Sequence, residues 1–173
     1  GASNTLALGF GGDTPGDTAN TESWDGTSWT EVNNLNTARF GSHLGIVGTY
    51  IDTLCIGGYD EKTVCEQWNG SSWTEVNDMN ENRFDAAGTT GVYTNALVIG
   101  GFSPPGIKAN VEEWNGVSWA ETTDLNAAKA DLGGAGTGTA GIAFGGRTAP
   151  NNPSVTTEIF SSSSVSTKTI DTD

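Results

Sequence analysis

The segment "EQWNGSSWTEVNDMNENR", from Glu66 to Arg83, occurs three times in this chain in closely related form. The earlier copy is "ESWDGTSWTEVNNLNTAR", from Glu22 to Arg39, and the later copy is "EEWNGVSWAETTDLNAAK", from Glu112 to Lys129. A degenerate fourth copy, "EIFSSSSVSTKT", begins at Glu158. Self-similarity at a fixed period is the sequence signature of a protein built from repeated structural units.

Two further markers share this period. An apolar run ending in Gly-Gly recurs four times, and its last glycine advances by 46, 43 and 45 residues. These doublets are Gly11–Gly12, Gly57–Gly58, Gly100–Gly101 and Gly145–Gly146. The aromatic positions of the repeated segment are Trp24, Trp68, Trp114 and Phe160, followed by Trp29, Trp73 and Trp119. The markers define four units, approximately 1–38, 39–82, 83–128 and 129–173, within a single domain of 173 residues.

Each unit is predicted to contain four β-strands and no helix. Strand a follows the basic residue, strand b is the apolar run into Gly-Gly, strand c leads into the first aromatic, and strand d starts at the second Trp. Runs such as "LCIGG" and "LVIGG" are continuously apolar, which indicates strands buried on both faces. The first unit begins after its strand a, so we expect about 15 strands.

The Asn-Gly or Asp-Gly pair between the two Trp residues predicts a hairpin turn, because both residues tolerate positive φ. If all four intervening residues form the loop, Trp24 and Trp29 face each other across strands c and d. If only Asp25 and Gly26 form the turn, the two indoles diverge. We interpret the repeated segment as structural in either case.

These features resemble the kelch-repeat family of β-propellers over essentially the whole chain. The resemblance rests on Gly-Gly after strand b, the aromatics flanking the c–d turn, and the basic residue before strand a. It implies four blades, as a four-bladed ring or part of a larger propeller or array. The repeat sequence also resembles kelch-like arrays of environmental bacteriophages and aquatic bacteria. That similarity implies a non-enzymatic binding or structural module of an extracellular or virion appendage, such as a phage tail fibre or decoration protein.

Composition narrows the functional classes. The formal net charge is −14, and the seven basic residues are scattered, so we expect neither nucleic-acid binding nor membrane insertion. The chain does not begin with Met and shows no signal peptide, so we expect that residue 1 is not the natural start. His43 is the only histidine and has no nucleophile motif near it. We therefore predict no enzyme activity, no cofactor and no metal site.

Cys55 in strand b and Cys65 in strand c are predicted to oppose each other. The equivalent positions in the next unit are Val98 and Val111, an apolar pair. Replacement of both members suggests a disulfide and an oxidising, extracellular setting. The alternative is two buried thiols that fill the space of the valines.

The b–c connections vary most and are predicted to share one face with the d–a connections, and recognition is expected on that face. Candidate ligand-binding residues there are Arg39, Arg83, Lys129, Asp13, Asp17, Tyr59, Asp60, Phe102 and Arg147. The three repeated basic residues have an alternative role, in which they bind loop carbonyls or pair with acids such as Asp85 and Asp131. Expected partners are proteins, including further copies joined through the open blade edge. The alternative function is a lectin-like propeller that binds cell-surface glycans.

Overall fold

A computed structural model of the chain describes residues 5–40, 47–59, 62–89, 91–161 and 164–169. The predicted positions His43 and Asp60 lie outside these ranges. The described residues form β-strands, turns and irregular segments, without a helix, and therefore without a helix that could cross a membrane. The all-β prediction is confirmed.

The strands follow one another in a repeating order. The first sheet contains β1 (Ala7–Phe10), β2 (Thr21–Trp24) and β3 (Trp29–Val32). The second contains β4 (Val47–Gly48), β5 (Thr53–Gly58), β6 (Lys62–Trp68) and β7 (Trp73–Val76). Next come β8 (Ala87–Gly88), β9 (Ala96–Ile99), the hairpin β10 (Phe102–Ser103) and β11 (Gly106–Ile107), β12 (Val111–Trp114) and β13 (Trp119–Glu121). The last strands are β14 (Gly133–Thr137), β15 (Ala140–Phe144), the hairpin β16 (Arg147–Thr148) and β17 (Asn152–Pro153), β18 (Thr156–Ser161) and β19 (Ser164–Thr169).

The described strands form four separate main sheets, and none of them closes on itself. All pairings are antiparallel, in the orders β1-β2-β3, β4-β5-β6-β7, β8-β9-β12-β13 and β14-β15-β18-β19. The first sheet therefore has three strands and the other three have four, which is the predicted strand frame. The two short hairpins, β10-β11 and β16-β17, are additions to the b–c connections that the sequence did not reveal.

The apolar core lies in layers between consecutive sheets. Leu54 and Ile56 of β5 belong to a cluster that also contains Val98 and Trp119 of the third sheet. Cys55, between them in sequence, belongs to a different cluster with Leu35 of the first unit. Successive side chains of a strand point to opposite faces, so β5 contributes to two layers. This placement explains why its sequence is continuously apolar rather than alternating.

A third apolar layer joins the last two sheets. Leu97 and Ile99 of β9 cluster there with Ala143 and Phe160 of the fourth sheet. Glycine permits the close approach of the inner strands: a Cβ on Gly134 would lie 2.6 Å from the carbonyl oxygen of Gly88. The four sheets are thus stacked in chain order, each against the next.

Candidate functional site

The Trp-to-Trp turn of each unit is a four-residue loop, as the first alternative predicted. Trp24 is paired directly opposite Trp29, and their ring centroids are 5.5 Å apart. The equivalent pairs Trp68–Trp73 and Trp114–Trp119 have separations of 5.4 and 5.3 Å. In the first turn, Asp25 Oδ1 accepts hydrogen bonds from the backbone N–H groups of Thr27 and Ser28. These bonds stabilise the carboxylate and lower the pKa of Asp25.

The two-residue turn is excluded by this direct pairing of the Trp residues, and only the glycine of the Asn-Gly or Asp-Gly pair adopts positive φ. Gly70, for example, has φ of 89°. Asn69 instead receives backbone hydrogen bonds from Ser71 and Ser72 on its side-chain oxygen, as Asp25 does in the first unit. Asx-type bonding therefore explains why Asp and Asn both occur at this position.

The repeated basic residues are buried between sheets. Arg39 Nη2 donates to Glu66 Oε1 at 2.5 Å, and its Nη1 donates to the carbonyl oxygens of Gly57 and Val64. Arg83 forms the corresponding ion pair with Glu112. Lys129 Nζ lies 2.9 Å from Glu158 Oε1. In every case the basic residue lies in the linker that follows one sheet, and the glutamate lies in the next sheet.

A repeated asparagine completes each buried site. Asn36 donates its backbone N–H and its side-chain Nδ2 to Glu66 Oε2, both at 2.8 Å. Asn80 and Asn126 bind Glu112 and Glu158 in the same way. Burial alone would raise the pKa of Glu158, but the hydrogen bonds from Asn126 and Lys129 outweigh it and lower that pKa below its usual value. Each glutamate thus accepts hydrogen bonds from an asparagine and a basic residue, and for Glu158 these bonds favour the charged form.

This geometry places the three basic residues at the joints between consecutive sheets. A joint is the buried contact between an Asn-x-x-Arg/Lys linker and the glutamate of the next sheet. It gives no support to their predicted contact with a ligand, because their side chains have no exposed surface. The predicted bonds to carbonyls are present, and the observed ion pairs of these residues are with Glu66, Glu112 and Glu158. The sequence contained a signal for the true partners: a glutamate stands at the head of every copy of the repeated segment.

The expected disulfide is corrected by the structure, in which Cys55 and Cys65 are free thiols. In the register of β5 and β6, Cys55 is opposite Glu66, and Cys65 is opposite Ile56. This offset of one residue sends the two side chains to opposite faces of the sheet, into different core layers. Burial raises the pKa of each thiol to about 12. The alternative of two buried thiols is therefore the one observed.

A row of aromatic rings crosses the loop face on which recognition was expected. Phe40 lies 4.8 Å from Tyr59, Tyr59 lies 4.9 Å from Phe84, and Phe84 lies 5.3 Å from Phe102, all between ring centroids. The Arg147 guanidinium carbon lies 5.9 Å from the centre of the Phe102 ring. We call these five residues the aromatic row. The structure thus brings together Tyr59, Phe102 and Arg147, three of the predicted site residues.

Phe40 and Phe84 were not predicted as site residues, although both follow the repeated basic residue in "NTARF" and "NENRF". Backbone hydrogen bonds place them beside the residue that follows Gly-Gly. Phe84 and Phe102 exchange two such bonds, and Tyr59 donates one to Phe40. In the last unit the same bonds join Ala130 and Arg147, so a cation replaces the ring there.

The cationic end of the aromatic row borders a polar cleft. Arg147 donates to Asp131 Oδ2 through Nε and to Asn151 Oδ1 through Nη1. Asp131 and Asp85 line a cleft of about 390 Å³, together with Ala86 and Leu132. Both aspartates have positive φ, near 55°, a conformation that non-glycine residues adopt mainly where the surrounding structure requires it. The arrangement offers ring faces and a guanidinium to a ligand.

The remaining predicted residues lie in the first unit. Asp13 Oδ1 accepts the backbone N–H of Gly16 at 2.5 Å, and Asp13 forms an isolated bridge with Asp17. Both carboxylates thus belong to one b–c connection. Among the described residues, no group of three or more His, Cys, Asp or Glu side chains could hold a metal ion.

No protein-family model matches this chain, and no curated protein matches it at a significant level.

Proposed function

We propose that the chain is a kelch-like β-propeller segment that acts as a non-enzymatic binding or structural module. The strand order within each sheet, the stacking of consecutive sheets and the paired indoles support a blade arrangement. Four such blades would form either a ring or part of a larger array. A low-resolution image of the particle that shows the number of blades around one axis tests this architecture; sheets without a common axis would contradict it.

The observation that supports this proposal most strongly is that the buried charged groups pair with one another. Arg39, Arg83 and Lys129 are all engaged with the glutamate of the following sheet. Both cysteines are buried with raised pKa, so neither supplies a thiolate nucleophile at neutral pH. The buried charged groups among the described residues therefore join one sheet to the next. The face formed by the b–c and d–a connections is the surface that we propose for contacts with other molecules.

The setting we propose is an extracellular or virion appendage that contacts a protein partner or a host surface. A net charge of −14 favours solubility of the protein and opposes its non-specific self-association. The resemblance to phage-type arrays supports the same extracellular setting. Saturable binding of the labelled chain to intact bacterial cells tests this role. Arg147→Ala is expected to weaken that binding, whereas Val117→Ala, in a c–d turn at the opposite end of the strands, should not. Equal loss with both variants, or no saturable binding on a panel of aquatic bacteria, would count against the role.

A second candidate is a lectin-like glycan-binding module, and the aromatic row favours it. Tyr59 is 41% exposed although it contacts two other rings. Sugar rings present apolar C–H faces that pack on aromatic faces, and Arg147 adds a charged hydrogen-bond donor. A glycan array probed with the native chain and with Tyr59→Ala tests this candidate. Glycan binding that survives Tyr59→Ala and Arg147→Ala unchanged would reject the aromatic row as the site.

A further inference from the structure

The outer face of the first sheet carries residues that are buried in the other units. Trp29 is 51% exposed, whereas its repeat equivalents Trp73 and Trp119 are each 6% exposed. Glu22 is also exposed, whereas Glu66 and its counterparts in the later units are buried. The first unit therefore contains the complete repeated segment, but the residues that are buried at the joints of the other units are exposed in it.

The other joints define which groups cover this side. Glu66 receives Asn36 and Arg39, and the arginine also binds the carbonyl oxygens of Gly57 and Val64. The equivalent acceptors in the first unit are the carboxylate of Glu22 and the carbonyls of Gly11 and Asn20. Among the described residues, no basic side chain forms an ion pair with Glu22. The acceptor half of a fourth joint is thus present with its carboxylate exposed.

The donor half of every joint has one sequence form, an asparagine followed three residues later by Arg or Lys. The donors in this chain are "NTAR" from Asn36, "NENR" from Asn80 and "NAAK" from Asn126, and each is engaged with the following unit. We propose that the outer face of the first sheet is a docking site for the Asn-x-x-Arg/Lys linker of a further repeat unit. The partner is thus a polypeptide with this linker, outside residues 1–173.

The edge of β1 provides a second point of attachment for the same partner. In the first sheet, β1 pairs with β2 but with no other described strand. In the third sheet, the short strand β8 follows the donor linker of the second unit and pairs Ala87 with Ile99 and Gly88 with Val98. The matching positions in β1 are Phe10 and Gly9. A docking linker would therefore continue as an added strand along β1, using backbone groups that pair with no other described strand.

This inference deepens the proposed protein-binding role and rests on it, but it concerns a different surface from the aromatic row. The probe is a synthetic peptide with the sequence of residues 73–88, which contains the donor linker and the following short strand. Calorimetric titration of the full chain should detect its binding. Arg83→Ala in the peptide, or Glu22→Gln in the chain, should weaken binding at least about tenfold, because a buried charge loses its partner. Glu75→Gln, which removes an exposed carboxylate on β7, is the matched control and should leave the affinity unchanged.

A tethered version keeps the test decisive if the isolated peptide binds too weakly. A copy of residues 40–89 fused ahead of Gly1 supplies the linker and the missing strand at high effective concentration. Glu22→Gln should lower the urea midpoint of this fusion but leave the midpoint of the unfused chain unchanged. An equal shift of the urea midpoint in the fused and unfused proteins would overturn the proposal, as would a peptide affinity that Glu22→Gln leaves unchanged. The proposal would also fail if the peptide did not bind and Glu22→Gln did not lower the midpoint of the fusion. Cell or glycan binding that persists in Glu22→Gln would show that the loop-face function stands independently.

Discussion

Arg39 Nη2 donates a 2.5 Å hydrogen bond to Glu66 Oε1 between two sheets, and neither side chain has any exposed surface. A pair of charges in such a site has a large desolvation cost, which is balanced only when every donor and acceptor is engaged. Asn36 and the Gly57 and Val64 carbonyls supply the additional bonds. The joint therefore fixes how the linker after one sheet sits on the next sheet, and removing either charged partner leaves the other charge buried and uncompensated.

Arg83→Ala is expected to lower the free energy of unfolding by about 3 to 5 kcal/mol, because Glu112 would remain buried without its cation. The double variant Arg83→Met/Glu112→Leu should recover much of this loss, since neither charge remains. Urea denaturation followed by tryptophan fluorescence measures both. Lys108→Ala is the control: its partner Glu81 is 3.5 Å away and both side chains are partly exposed, so the loss should be below about 1 kcal/mol. Similar losses for Arg83→Ala and Lys108→Ala would contradict the structural role of the joint.

Cys65→Thr is expected to stabilise the protein. In the first joint, Trp73 Nε1 donates to Thr21 Oγ1 at 3.0 Å. In the second joint, Cys65 occupies the position equivalent to Thr21, and the buried Trp119 Nε1 has no acceptor among the described residues other than the Cys65 thiol. A thiol is a weak acceptor, so a hydroxyl there should add about 0.5 to 1.5 kcal/mol to the free energy of unfolding.

Cys55→Thr serves as the control for this gain. Cys55 lies in a different core layer, where no indole lacks a partner among the described residues, so a hydroxyl there should be destabilising. Denaturation midpoints of the two variants against the native chain give the comparison. A midpoint for Cys65→Thr at or below that of Cys55→Thr would count against the missing indole bond.

Both thiols should be unreactive in the folded protein and reactive after unfolding. Burial raises the pKa of each to about 12, so the thiolate that attacks a disulfide reagent is almost absent at pH 8. Titration with Ellman's reagent should detect almost no thiol in buffer. It should detect two per chain in guanidinium chloride without added reductant. Detection of none in denaturant would restore the disulfide.

The disulfide error shows where sequence reasoning stops in this chain. The period, the strand frame and the absence of helix all follow from markers that recur in each unit, such as Gly-Gly and the paired Trp. The pairing of Cys55 and Cys65 depended instead on the length of one turn. The observed register is shifted by a residue, with an irregularity between Ile56 and Gly58. Because side chains alternate between faces, a shift of one residue was enough to separate the two sulfurs.

The candidate site was predictable only where a residue departs from the repeat. Tyr59, Phe102 and Arg147 were identified because they follow Gly-Gly in variable loops. Phe40 and Phe84 were missed, because their contacts with those loops arise from backbone pairing between segments 18 or more residues apart. The glutamate partners of the basic residues were missed for a related reason. They lie in the sheet that follows the linker, and a repeat pattern aligns equivalent positions without showing which positions are in contact.

Stability should fall on acidification, and Glu158 should contribute to that fall. Its pKa is lowered in the folded state, so its stabilising effect is present above the ordinary value near 4.5. The effect is lost as the pH drops through the lower folded value. Glu158→Gln removes this titration and should make the change in unfolding free energy between pH 7 and pH 3 smaller than in the native chain. Glu75→Gln, an exposed carboxylate variant, is the control. A pH profile of Glu158→Gln parallel to that of the native chain would contradict the assignment.

Equivalent tryptophans should differ sharply in their effect on stability because their burial differs. Trp119→Ala removes an indole packed between two sheets and should cost about 3 to 5 kcal/mol. Trp29→Ala removes the same side chain from the open face of the first sheet, where about half of it is already in water, and should cost about 1 to 2 kcal/mol. Each substitution also removes one cross-strand ring contact of similar geometry, so that contribution cancels in the comparison. Urea denaturation of the two variants gives the difference directly. Equal costs would mean that Trp29 is covered in solution, by another copy or by residues outside the described ranges.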